Sequence, residues 1–160
     1  MQEFIQEFFV NWASFYSNHA AMRTLIGFLH IGGLLIGGGL AISADRMTLR
    51  AARRGASERA SQLSALGDTH RIVLVSLVAV MISGFLLFAA DSENFLHSIL
   101  FWVKMGLVGA LMANGFLLIR AERRAAVDAD NGWKWLTIAS TISVALWMLT
   151  TLAGAALPNA

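Results

Sequence analysis

The chain contains no cysteine, and its single proline, Pro158, stands almost at its end. The first absence excludes disulfides, thiolate-bound zinc, iron–sulfur clusters and c-type haem attachment by this chain. The second means that no long helix is broken by a proline ring. Charge is scarce as well. Only 14% of residues are Asp, Glu, Lys or Arg, against about a quarter in soluble domains. The net charge of +2 is too small to argue for nucleic acid. There is no phosphate-cradling glycine loop, no nucleophile triad and no carboxylate pair inside an apolar run. Classical acid–base or nucleophilic catalysis therefore has no residue set, which points away from an enzyme. Met1–Gln2–Glu3 is not the basic start of a cleavable signal.

What remains is strongly apolar, with 57% of residues hydrophobic. The apolar residues cluster into four runs of about 20 residues each, the length a helix needs to cross about 30 Å of hydrocarbon. They cover residues 24–43, 72–90, 98–119 and 135–156. Water cannot complete backbone hydrogen bonds in lipid, so each run must be helical. Residues 1–160 thus read as one all-α integral membrane domain, an antiparallel up-down-up-down four-helix bundle with short connections. Residues 1–17 differ from the spans. Phe8, Phe9, Trp12, Phe15 and Tyr16 recur at helical spacing opposite Glu3, Gln6, Glu7 and Asn11. That pattern predicts an amphipathic helix lying in the membrane interface or docking on a partner. Ser17 and Asn18 are candidate caps for the helix that follows.

Basic residues set the direction. The connection 44–71 carries Arg46, Arg50, Arg53, Arg54, Arg59 and Arg71, and the connection 120–134 carries Arg120, Arg123, Arg124 and Lys134. The other side has only Arg23, with Lys104 inside a span. The positive-inside rule then places both Arg-rich connections in the cytoplasm and both termini outside. The first span is expected to continue as a helix past the membrane to Gly55, with a restart at Ser57. Asn131–Gly132 reads as a turn, and Trp133 and Trp135 as residues of the inner interface.

The candidate site begins at His30. It shares one helical face with Gly33, Leu34, Gly37, Ala41 and Asp45. Gly33, Gly37 and Ala41 form a small-xxx-small ladder, which lets a second helix, another copy of the chain or a flat ligand approach closely. An intramembrane histidine faces protein and reads as functional by default. It serves either as a haem or metal ligand or as a neutral ring hydrogen-bonded to a neighbouring helix. Counting depth along the other spans brings Lys104, Ser83, Thr150 and Thr151 to the same level. Lys104 can either snorkel outward or turn inward, where its ammonium suits an anionic group such as a porphyrin propionate. His97 and His19 fall at the outer border, where His97 could reach an outward-opening site. His70 falls at the opposite end, near Asp45, Arg46, Asp68 and Arg71, with Asn114 at a similar level.

These residues carry a family resemblance. The first span, with LHIGG, a glycine-rich middle and Ala44–Asp45–Arg46, resembles the first helix of the CopD and HemJ (protoporphyrinogen oxidase) families. SGFLLFAAD followed by FWVKMGLVGALMANG is similar to their later helices. The likeness covers roughly residues 22–124, closest to a four-helix bacterial branch without assigned activity. It implies a bacterial inner-membrane protein in a haem, porphyrin or copper redox setting. Within it, His30 corresponds to the first-helix histidine, Lys104 to the basic residue of a later helix, and Arg46 to the arginine closing the first helix. Leu34–Leu35–Ile36–Gly37 replaces the aromatic pair of the HemJ-like helices, so haem b binding without oxidase activity is the expectation. The alternative is a structural or assembly subunit of a membrane complex, docking through residues 1–17 and the glycine ladder.

Overall fold

The computed structural model describes residues 2–157. Six helices follow one another: α1 (Gln2–Asn18), α2 (Ala20–Ala52), α3 (Ala56–Ala90), α4 (Ser92–His97), α5 (Ile99–Ala125) and α6 (Ala129–Ala156). Four of them, α2, α3, α5 and α6, are long and apolar enough to cross a membrane. The described residues form no strand.

The long helices pair through small residues. α2 lies on α3: a Cβ at Gly33 would stand 2.7 Å from Val80 Cγ2, and one at Gly37 2.8 Å from Ser76 Cβ. α2 also meets α6, where Gly38 lies under the Trp147 ring, 3.0 Å from its Cε3 to a built Cβ. α5 and α6 form a hairpin that closes at Gly132, where a side chain would fall on the backbone of Ala125 and Arg124. α3 and α5 meet at both ends, with Phe88 stacked on Phe101 at 5.4 Å and His70 beside Glu122 at 3.2 Å. Glycine permits each close approach by offering backbone where a side chain would separate the helices.

The polarity of the bundle is inverted relative to a soluble core. Leu35, Ile36, Leu74, Val75, Phe116, Leu117 and Leu152 stand exposed on its outside. Asp45, Thr48, Ser76, Ser83, Asn114, Ser140, Ser143 and Thr150 are buried. An apolar knot of Ala51, Ala121, Ala125, Trp133 and Leu136 closes the Arg-bearing end.

Several local expectations meet a different outcome. The helix restart near Gly55 is where it was expected, but the Asn131–Gly132 turn is not. The turn lies at 126–128, and α6 is already helical at Gly132, whose φ is not positive. Its glycine serves close packing, not a reversal of the chain. Trp133 is buried at 4% exposure in the apolar knot, with the Arg59 guanidinium 5.4 Å from its ring centroid. Arg59 Nη2 also donates to the Ala52 carbonyl at 2.7 Å, so this arginine completes the α2 terminus. Ser17 and Asn18 donate back to the Ser14 carbonyl and close α1, while His19 takes the N-cap position of α2. The 91–97 link contains the short helix α4. α1 is no free arm: Trp12 Nε1 donates to Leu86 O at 2.9 Å, and Phe9 meets Phe88 edge-on.

Asp128 caps α6, accepting from Asn131 N at 3.3 Å and from Asn131 Nδ2 at 3.0 Å. The side-chain bond from Asn131, then its backbone bond, holds this exposed carboxyl below its ordinary 3.8. A depressed carboxylate stabilises the fold above its unfolded value and loses that effect as pH falls through the folded one. Fraying of the first turn of α6 is therefore expected to begin only below about pH 4. Hydrogen exchange at Asn131 and Gly132 measures it, and Asp128→Ala should fray at every pH.

Candidate functional site

The half of the bundle away from the Arg-bearing end brings together residues of α2, α3 and α5, with α6 alongside. His30 on α2 turns towards α3, where its Nδ1 lies 3.2 Å from Val80 O and 3.1 Å from Ser83 Oγ. Gly84 lets the imidazole lie against α3, since a Cβ there would stand 3.1 Å from His30 Cε1. The Ser83 hydroxyl donates to Ala79 O at 2.6 Å, so its proton is committed. A carbonyl can only accept. Nδ1 is therefore the protonated nitrogen, and Nε2 carries the lone pair.

Lys104 turns inward. Its Nζ would lie 3.4 Å from a Cβ at Gly154 of α6, and the side chain is half-buried within electrostatic reach of His30. Of the two orientations open from the sequence, the structure takes the one over the α6 glycine, which offers no side chain to block it. Thr150, four residues before Gly154 on α6, is buried with Oγ1 unpartnered. Thr151, at the same depth, instead donates to Trp147 O on its own helix.

The other candidate residues do not join this group. Gly33 and Gly37 are on the His30 face, but α3 fills the approach they permit. Of the alternatives the ladder left open, the structure shows a neighbouring helix: the close contact is made by α3 within one chain. Arg46 is exposed, sixteen residues along α2 from His30, or about 24 Å. It lines a shallow depression of about 240 Å³ with Gly39, Ile42, Ser43, Met47 and Arg50 at the Arg-bearing end. His97 is exposed, with Nδ1 on Glu93 O of its own helix at 2.7 Å. His19 stacks on Phe15 and engages Phe15 O. Among the described residues no three His, Cys, Asp or Glu side chains gather to hold a metal. His30 would be a lone protein ligand from this chain.

A second polar group sits at the Arg-bearing end and was mostly missed from the sequence. Asp45 is only 5% exposed and faces Ser143 and Ser140 of α6. Glu122 of α5 lies within electrostatic reach of Asp45 and pairs with His70 of α3. Asn114 Nδ2 donates to Ala139 O at 3.0 Å, one residue before Ser140. Beside them, Gln62 Nε2 donates to Thr48 Oγ1 at 3.1 Å. Glu122 follows Leu111, Asn114 and the partly buried Leu118 at steps of three and four, which was the available signal for its inward face.

No family model, no curated protein and no solved structure matches the chain.

Proposed function

We propose that this chain is a b-type haem- or porphyrin-binding, redox-associated protein of a bacterial inner membrane. It would be an up-down-up-down bundle with both termini and α1 at the outer face and the Arg-rich connections in the cytoplasm. The arginine asymmetry supports that orientation.

The observation that carries the ligand reading is the state of His30. Metal-ligating histidines characteristically donate their other ring N–H to a carbonyl or carboxylate, which fixes the tautomer and raises ligand basicity. Nδ1 of His30 does this to Val80 O, leaving Nε2 as donor. The donor set therefore suits a haem iron. Lys104, turned inward, would face a propionate. A bound haem would supply one-electron chemistry there. The chain itself would orient the ring through Ser83 and Val80 and keep water out with the surrounding apolar helices. The resemblance of LHIGG and FWVKMG to the HemJ-like helices supports the same assignment.

Absorption spectra of the protein purified from haem-replete cells test it. A Soret band is expected, lost in His30→Ala and weakened in Lys104→Met. Ser83→Ala should lower haem affinity by about ten- to a hundred-fold, the usual cost of removing an outer partner of a ligating histidine. A protein without a Soret band, or a band unchanged in His30→Ala, rejects the proposal.

A role as a subunit of a larger complex keeps one supporting observation. Gly106 and Gly109 on the outside of α5 meet nothing, and so offer another helix the approach that Gly33 and Gly37 give to α3. Cross-linking at Gly109→Cys would report such a neighbour.

A further inference from the structure

We propose that Asp45, Ser140, Ser143 and Asn114 form a binding site for a small monovalent cation of sodium's size at the Arg-bearing end of the bundle. The site is separate from His30 and does not depend on haem.

Three buried oxygens carry the inference. Asp45 Oδ2, Ser140 Oγ and Asn114 Oδ1 are enclosed and make no close hydrogen bond, the Ser140 and Ser143 hydroxyls offering the Asp45 carboxylate only longer contacts. Asp45 is 5% exposed, Asn114 4% and Ser140 0%. Orphaned polar atoms in a bundle interior are costly, and several at one place call for a common partner. The α2–α6 contact sets Asp45 against Ser140 and Ser143. The Asn114 amide nitrogen is tied to Ala139 O, which brings its oxygen to the same turn of α6.

The chemistry of these atoms selects the ligand. All are hard oxygen donors, which suits alkali and alkaline-earth cations and not a thiophilic metal. Asp45 is the one carboxylate among neutral hydroxyl and amide oxygens in the group, Glu122 lying only within electrostatic reach and beside His70, so the group matches one positive charge better than two. A magnesium ion would also have to shed water that it releases reluctantly. A proton on Asp45 would satisfy only one contact, whereas a coordinated cation engages the carboxylate and the hydroxyls together.

The surrounding charges leave the position open. Arg46, next along α2, is exposed, and no Lys or Arg pairs with Asp45 among the described residues. From α5 the facing group is Glu122, a further negative charge, and from α3 it is His70, already paired with Glu122. α6 presents only the serines.

Thermal unfolding of the purified protein in detergent, at pH 8 and constant ionic strength, tests the site. Replacing choline chloride by sodium chloride should raise the melting temperature saturably. The response should vanish in Asp45→Asn, which keeps the shape and removes the charge. It should shift to at least tenfold higher sodium in Ser140→Ala. Labelling of wild-type Asp45 by a hydrophobic carbodiimide, read by mass spectrometry, should slow several-fold with sodium, and this arm needs no variant to fold. An equal response to choline, or one retained in Asp45→Asn, overturns the proposal. So does stabilisation by lower pH with no sodium effect at any pH, which would mean a proton alone.

Discussion

Alanine at position 132 is expected to prevent stable closure of the α5–α6 hairpin. The added methyl would stand 2.7 Å from the Arg124 carbonyl carbon and nearer still to Ala125. These are backbone atoms, so no rotamer change relieves the overlap. Overpacking commonly costs about 1–3 kcal/mol where side chains can give way. With backbone on both sides the cost should reach or exceed the top of that range. The helices would separate beside Trp133 and Leu136, which the same crossing buries. In detergent, Gly132→Ala should show a sharp fall in the monodisperse fraction after mild heating. Gly67→Ala, at a position that meets nothing within 4 Å, should behave as the parent does. Equal behaviour of the two variants would show that the hairpin crosses elsewhere.

The contact between Gly38 and Trp147 should produce the other large effect. Trp147 is buried, and its ring edge occupies the space above Gly38. Gly38→Val would drive the indole out, separating α2 from α6. Trp147→Ala would instead leave a void, and such truncations cost about 3–5 kcal/mol in well-packed cores. Because both act on one space, their effects should not add. Gly38→Val with Trp147→Ala together should be less damaging than the sum of the two, by an interaction of about 1–3 kcal/mol. Thermal melts of the four proteins in one detergent measure it, and strict additivity would mean that the residues do not touch. The separation would also disturb Asp45, two turns from Gly38, against Ser140 and Ser143.

The two polar groups differ in how visible they are before folding. His30 and Lys104 stand out because a histidine and a lysine are rare inside apolar runs. Depth counting was enough to bring Ser83 and Thr150 to their level. Asp45 was placed on the His30 face, and His70 near it, from helical spacing. Asn114 falls at the same end by depth, but Ser140, Ser143 and Glu122 attract no such attention. Hydropathy locates a helix in the membrane but says little about which side of it faces inward. Serines barely alter a hydropathy average, and in lipid the apolar side chains turn outward. The inward face of α6 was still written in the chain. Trp133, Leu136, Ser140, Ser143, Trp147 and Thr150 follow alternating steps of three and four, the seam by which antiparallel helices interlock. Gly132 was misplaced for a related reason. An Asn–Gly pair is a local signal, whereas the crossing of α5 and α6 that claims Gly132 is tertiary.

The inverted polarity of the bundle bears on how it responds to temperature. Soluble cores gain from removing apolar surface from water, and the same surface gives unfolding its large heat-capacity change. Here the faces that join the helices are rich in small residues, glycine, alanine, serine and threonine, and the outer side chains stay in lipid whether the helices touch or part. Separating them inside a micelle would expose little apolar surface to water. Calorimetry should therefore find a shallow stability curve, with little loss on cooling, and a cohesion set by how closely the backbones can approach.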